Sequence, residues 1–371
     1  MAISDQRRGP PHPLRIAVPL AVLLLVGLLS HGEARAQSRG TAAAKAAAGN
    51  FLSRYALSTG RIARTDQGGD TVSAGQAYGM LMSVALGERR EFALIWGWTR
   101  THLRRPDRLL ASHWRNGHVI DRKTASDADL DAARALILAA KRFHRSAYRA
   151  DGVAMARAIM AHEIRRLGRR WVLLAGSWVR QPVIINPGYL APRTFELLAA
   201  ATHDRRFARL EDGAVALARN LTALAPHLPP DWATVSSGGV PTPIAGPPGP
   251  SREPTPRYSI DAARLPIRFA EGCSAAGRQI AASIWPFFSA QQPGDIGFAY
   301  SLDGRLIAPQ QTATVLVSAA AAAQSAGQIA ARDRLLAQAD AVNARFPTYF
   351  GGAWVALGRL ELQTRLLGSC S

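Results

Sequence analysis

The stretch Ala125-Ser126-Asp127-Ala128-Asp129-Leu130-Asp131-Ala132-Ala133-Arg134-Ala135-Leu136-Ile137-Leu138-Ala139-Ala140-Lys141-Arg142-Phe143 decides the class of fold. Leu130, Ala133, Ile137 and Ala140 recur at helical steps and share one face, so the spacing predicts a helix over 127–143. Ser126, with Asp129 three positions later, reads as a capping box. Asp127 and Asp129 then stand in the first turn, where carboxylates complement the helix dipole. Helix capping is therefore a sufficient reason for both acids. A chemical role has to be argued from other segments.

The same periodicity recurs on both sides, near 42–58, 74–87, 91–104, 150–167, 188–203, 206–222, 261–272, 276–290, 311–326, 331–345 and 350–367. Alanine and leucine dominate and β-branched alternation is scarce, so the expectation is an all-α fold of about twelve helices. Short connections favour antiparallel neighbours, and two concentric rings of six satisfy the count. No repeat of fixed period suggests a solenoid. Trp171 to Ile185 reads differently, as a small β-hairpin on the rim. Pro226 to Pro256 holds ten of the chain's 23 prolines and cannot be helical. It is expected as a long loop leading into the Asp261 segment, either over one end of a cleft or as a plain insertion.

The N-terminus reads as a leader. Arg7, Arg8 and Arg15 precede an apolar run from Ile16 to Leu29, and Ala34-Arg35-Ala36 supplies a small-x-small cleavage pattern. The run is short for a span of ~20 residues. Residues 1–36 are expected to be a signal peptide, leaving one domain over 37–371, periplasmic or secreted, with no stable membrane span after cleavage. The formal charge of +19 favours anionic partners. The arginines are dispersed and accompany no nucleic-acid motif, so a nucleic-acid partner is not expected. Cys273 and Cys370 can pair in an oxidising compartment but do not make a disulfide framework. The nine histidines show no ligand spacing, so no metal is expected.

Two further segments carry charge at telling positions. In Ile260-Asp261-Ala262-Ala263-Arg264-Leu265-Pro266, Asp261 opens an apolar helix, again a capping position. Arg264, at i+3, reaches the same face, and a nearby cation favours an ionised carboxylate. A base that activates water must be ionised. In Thr71-Val72-Ser73-Ala74-Gly75-Gln76-Ala77-Tyr78-Gly79-Met80, Ser73 and Gln76 read as another capping box.

Together these three stretches resemble the active-site segments of glycoside hydrolase family 8, the endo-β-1,4-glucanase (cellulase) family. Asn186-Pro187-Gly188-Tyr189-Leu190-Ala191-Pro192, Tyr349-Phe350-Gly351 and Leu109-Leu110-Ala111-Ser112-His113-Trp114 extend the match over roughly residues 50–365. The resemblance implies an (α/α)6 barrel, no cofactor, and a β-1,4-linked glucan as substrate. It implies Asp261 as general base and Asp127 as the residue gripping the sugar at the cleavage point. It also implies a partner in the machinery of bacterial cellulose synthesis. Tyr78, Gln76, Trp114, Tyr189 and Arg264 are expected to line the substrate cleft. Aromatic side chains suit the apolar faces of sugar rings, and Trp96 and Trp98 are further candidates or plain core residues.

The chain departs from the family at four places, one of them Ala132, where the family prefers Ile or Met. Ile260 and Ser112 replace a Tyr and a Trp that the family prefers. Ala74 replaces the Glu that serves as proton donor. An inverting glycosidase needs two carboxyl groups about 6.5–9.5 Å apart, one protonating the leaving oxygen and one deprotonating water. Alanine donates no proton. Asp70, Glu88 and Glu91 are the nearest acids in sequence, with Asp70 the candidate to swing inward. Two readings follow: an exported hydrolase with weakened turnover, or a catalytically silent glucan-binding protein. A binder of membrane surfaces or acidic polymers is a third, carried by charge alone.

Overall fold

The computed structural model describes the backbone of residues 20–247 and 254–370 and, from Gln37 on, their side chains. The chain divides into two units, Met1–Arg39 and Gly40–Ser371. The leader expected at 1–36, with its cleavage site, lies outside the residues whose side chains are described. Among the described residues no helix is long and apolar enough to cross a membrane.

Thirteen α-helices occur among the described residues: α1 (Leu20–Tyr55), α2 (Ser73–Leu86), α3 (Arg89–His102), α4 (Ser126–Phe143), α5 (Ser146–His162), α6 (Pro192–Thr202), α7 (Arg206–Leu221), α8 (Arg264–Ala270), α9 (Ala275–Ser283), α10 (Trp285–Ser289), α11 (Ala313–Ser325), α12 (Ile329–Arg345) and α13 (Tyr349–Gln363). Helices α2, α4, α6, α8, α11 and α13 touch in that order, and α13 returns to α2, closing an inner ring. Each of α3, α5, α7, α9 and α12 lies outside the inner helix next to it in sequence. Phe51 and Tyr55 of α1 complete the outer ring by packing on Tyr349 of α13. The fold is the expected (α/α)6 barrel. Inner helices such as α11, with Ala319 to Ala323 fully buried, are apolar nearly all round, which is the pattern of a helix enclosed on every side. The single helix expected over 276–290 is broken into α9 and α10 at Pro286, which has no N–H to continue the ladder.

Small sheets decorate the rims. β1 (Thr71–Val72), β2 (His113–Arg115) and β3 (His118–Asp121) form one. The helix expected over 150–167 stops at His162, and β4 (Ile164–Leu167) pairs with β5 (Arg170–Leu173). The hairpin expected within 171–185 is thus displaced. Its turn is set by Gly168, whose φ of 56° is left-handed. β6 (Val183–Ile185) pairs instead with β7 (Trp232–Val235), which pairs with β8 (Pro241–Ile244). The proline-rich stretch therefore contains a strand pair. Pro241 and Pro243 fit there because β8 is an edge strand. Cys273 and Cys370 form a disulfide that holds the C-terminus beside the turn between α8 and α9.

Candidate active site

Helices α4 and α8 face each other across the barrel with charges at matching steps. Asp127, Asp131 and Arg134 stand at i, i+4 and i+7 on α4; Arg264 and Arg268 of α8, with Glu271 just past its end, keep the same steps. The rungs pair in register: Asp127 with Arg264 at 2.6 Å, Asp131 with Arg268 at 2.5 Å, Arg134 with Glu271 at 2.7 Å. Glu361 of α13 adds a second partner for Arg268 at 3.0 Å. Buried charges of this kind persist only when paired and hydrogen-bonded. The two lower rungs are sealed in the core. The top rung opens into a cleft.

That cleft has a volume of about 510 Å³, and Ala74, Tyr78, Asp127, Tyr189, Asp261 and Arg264 are among its lining residues. Arg264 is the hinge of the arrangement. Its Nη1 donates to Asp127 Oδ2 and its Nη2 to Asp261 Oδ1, each at 2.6 Å. Its guanidinium lies 4.8 Å from the Tyr189 ring centre and 5.9 Å from that of Phe350. Asp261 does not cap α8, which begins three residues later. It sits in the turn before it, with a side chain 34% exposed, while that of Asp127 is 7% exposed. Burial pushes the Asp127 carboxyl up, and Arg264 offsets only part of this.

The turn carrying Asp261 is fastened by Asp231, a residue the sequence reading did not single out. Asp231 accepts from the amides of Ser259 and Ala262, both at 2.9 Å, and from the Ser259 hydroxyl. Burial, and then the charge of Asp261, push the Asp231 carboxyl up to about 6. Gly188 closes the other side. A Cβ there would lie 2.0 Å from the Asp261 carbonyl oxygen, so only glycine allows the approach.

Three buried polar atoms at the cleft have no partner among the described residues: Asp127 Oδ1, Tyr78 Oη and Tyr349 Oη. Such groups are costly unless a ligand or water satisfies them. They offer one acceptor and two hydroxyls, the complement that sugar hydroxyl groups need.

Around Ala74 the picture differs. Ala74 is half-buried and reaches the cleft with a methyl group. Asp70 does not swing inward. Arg64 grips both its oxygens at 2.7 and 2.6 Å, and His113 Nε2 lies 2.5 Å from Oδ2. Burial alone would raise the Asp70 carboxyl, but these contacts outweigh it and hold it below the usual range. Glu88 and Glu91 lie at the far end of α2, beside Leu52 and Leu86. Asp121 does line the cleft, and it accepts the Lys123 amide at 2.9 Å.

Several expected cleft residues turn out to be structural. Gln76 is fully buried; it accepts the Ile62 amide at 2.5 Å and donates to Thr99 Oγ1 at 2.8 Å. It therefore braces the chain before α2 and does not line the cleft or cap the helix. Trp114 alternates with His113 along β2, so His113 lines the cleft while Trp114 packs on Trp98, with Arg61 over its ring. Trp96 donates to Asp151 and Trp98 stacks on His102; neither belongs to the cleft lining. Tyr258 is buried on Ser318 and does not replace the ring lost at Ile260. Both expected capping boxes are absent. Ser126 donates to the Leu174 carbonyl, and Asp129 accepts the Leu110 amide. The charge ladder was missed for a definable reason: its signal was acids and arginines at i, i+4, i+7 within apolar helices, not any local motif. Among the described residues no cluster of side chains is suited to a metal ion.

Comparison with known proteins bears on the family and the fold. The family described as "Glycosyl hydrolases family 8" matches residues 27–363. A probable endoglucanase of Novacetimonas hansenii is 32% identical over 59% of this chain and 64% of its own length. The match thus spans somewhat under two thirds of that relative. The structure of endo-beta-1,4-glucanase CMCax from Acetobacter xylinum superposes with a TM-score of 0.74 at 26% identity, covering 86% of this chain and 97% of that one. A beta-1,3-1,4-glucanase from Paenibacillus sp. X4 shares the fold with a TM-score of 0.78 at 19% identity, covering 88% and 92%.

Proposed function

This chain belongs to glycosyl hydrolase family 8, and within it we propose an exported β-1,4-glucan hydrolase whose turnover is weak or nil because the acid half of the reaction lacks its side chain. One observation carries the reading: two carboxylates converge on Arg264 in a cleft where Ala74 presents only a methyl group. Asp261 is the base. Its Oδ1 is held by Arg264, and Oδ2 is left to take a proton from water as that water attacks the anomeric carbon. Asp127 Oδ1 and the Tyr78 and Tyr349 hydroxyls hold sugar hydroxyl groups, and the Tyr189 and Phe350 rings cover apolar sugar faces. The departing sugar oxygen must then leave unprotonated or draw its proton from solvent. Loss of a positioned acid removes about 10²–10⁴ in rate.

The same absence supports a second reading: a glucan-binding protein without turnover, attached to cellulose synthesis or export. The experiment compares the unmodified protein with Ala74→Glu on two substrates. Carboxymethylcellulose requires an acid; a dinitrophenyl β-cellobioside, whose leaving group departs as a stable anion, does not. Cleavage of the aryl substrate alone by the unmodified protein supports a working base without an acid. Turnover of carboxymethylcellulose that Asp121→Asn abolishes would move the acid to Asp121. If neither protein binds cello-oligosaccharide, the glucan assignment is wrong.

A further inference from the structure

A second charged feature lies outside the cleft, where the tips of two hairpins meet α7. Arg166, Arg169 and Arg170 of the β4–β5 hairpin and Arg209 of α7 surround a depression of about 270 Å³ beside Trp171. Asp212 is its only acid among the described residues. Arg170 is committed, donating to the Gly239 carbonyl at 2.5 Å. Arg169 and Arg209 are exposed, and their guanidinium groups have no hydrogen bond or ion pair among the described residues. Four arginines against one acid repel one another on balance, so the fold gains little from this arrangement.

The Arg170 bond also joins the β4–β5 tip to the β7–β8 turn, and that turn holds out Val240, which is 57% exposed. Unpaired guanidinium groups therefore stand beside a protruding apolar side chain. A discrete small anion would be gripped by buried donors, and here the two free arginines are exposed. An extended surface that is anionic outside and apolar beneath fits both halves.

We propose that this face docks on an anionic phospholipid bilayer, with Arg166, Arg169 and Arg209 against headgroup phosphates and Val240 at the level of the acyl boundary. This docking stands apart from the glucan reading. β7 connects the two places. Trp232, at one end, packs on Tyr189 of the cleft, and the β7–β8 turn lies at the other end, about 3.3 Å further per residue.

Co-sedimentation of the full chain with vesicles tests this. One set is zwitterionic phosphatidylcholine; the other contains phosphatidylglycerol. The zwitterionic set reads out any binding by the apolar N-terminal run. An arginine beside an anionic surface multiplies affinity about fivefold, so Arg169→Glu/Arg209→Glu is expected to lose at least about tenfold on anionic vesicles. Arg334→Glu/Arg345→Glu on α12 changes the charge equally and is expected to lose less than about threefold. Val240→Asp is expected to weaken binding several-fold. Equal losses from both double variants would reduce the effect to bulk charge and overturn the proposal. So would no preference for anionic vesicles, displacement by millimolar inorganic phosphate, or binding to polygalacturonate in place of vesicles. Circular dichroism confirms that each variant is folded.

Discussion

On the side of the cleft built by α4 and α8, Asp127 and Asp261 share the Arg264 guanidinium, and Asp231 ties down the turn between them and the proline-rich stretch. On the side built by the start of α2 and by β2, Asp70 is consumed by Arg64 and His113, and position 74 is a methyl group. The two sides differ in what the fold needs from them. Asp127 is the top of a ladder of buried charges, so its loss would leave the buried Arg264 with Asp261 as its one carboxylate among the described residues. Ala74 lines the cleft and packs against the core with its methyl group alone, and it carries no hydrogen bond or ion pair through that side chain. Position 74 therefore takes no part in the buried charge network, whereas Asp127 and Asp231 are held in place by it and by backbone amides.

The largest effect expected is at position 74. Ala74→Glu should raise cleavage of carboxymethylcellulose by about 10²–10⁴, measured as reducing ends. Adding Asp261→Asn to that variant should remove the gain. Gain without loss on the second change would separate Asp261 from the chemistry and break the contrast. Next comes the ladder. Arg264→Met leaves Asp127 buried without its cation and should cost about 3–5 kcal/mol in chemical denaturation. A cost below about 1 kcal/mol would mean that the top rung is as dispensable as Ala74.

A smaller effect lies just beneath the cleft. Burial pushes the Glu163 carboxyl up to about 8, and Asp129 beside it also well up. An unfolded glutamate titrates near about 4.3. Between these values the folded state keeps a proton that the unfolded state has lost, so this contribution is full below about 4 and is lost as pH rises through about 8. Glu163→Gln keeps the hydrogen bond to Thr124 and cannot ionise. Its Tm should therefore gain on that of the unmodified protein across this interval; parallel curves would refute the shift. The smallest effect is Trp114→Ala. Because that ring packs on Trp98, cello-oligosaccharide affinity by calorimetry should change less than about twofold, whereas Tyr189→Ala should weaken it markedly.

Much of the site was legible because it is local. Ala125-Ser126-Asp127-Ala128-Asp129 and Asp261-Ala262-Ala263-Arg264 announce themselves within a few residues, and the Asp261–Arg264 pair is one helical turn in length. Gln76 and Trp114 were misjudged for the opposite reason. Which face a side chain turns to the cleft depends on β-register and on the segment before α2, and neither is encoded nearby.

The sequence by itself determined a chain of some twelve helices, through repeated apolar spacing, and its resemblance to the family supplied the barrel and the expectation that Ala74 stands where an acid would. Only the tertiary structure decided that the expected helix caps give way to contacts with Leu174 and Leu110, that Asp70 is held away from catalysis, and that Asp127 and Asp261 meet on one cation. Each of these joins residues on different elements, and a long-range hydrogen bond in a buried place outweighs a local cap because the group it satisfies has no water to turn to.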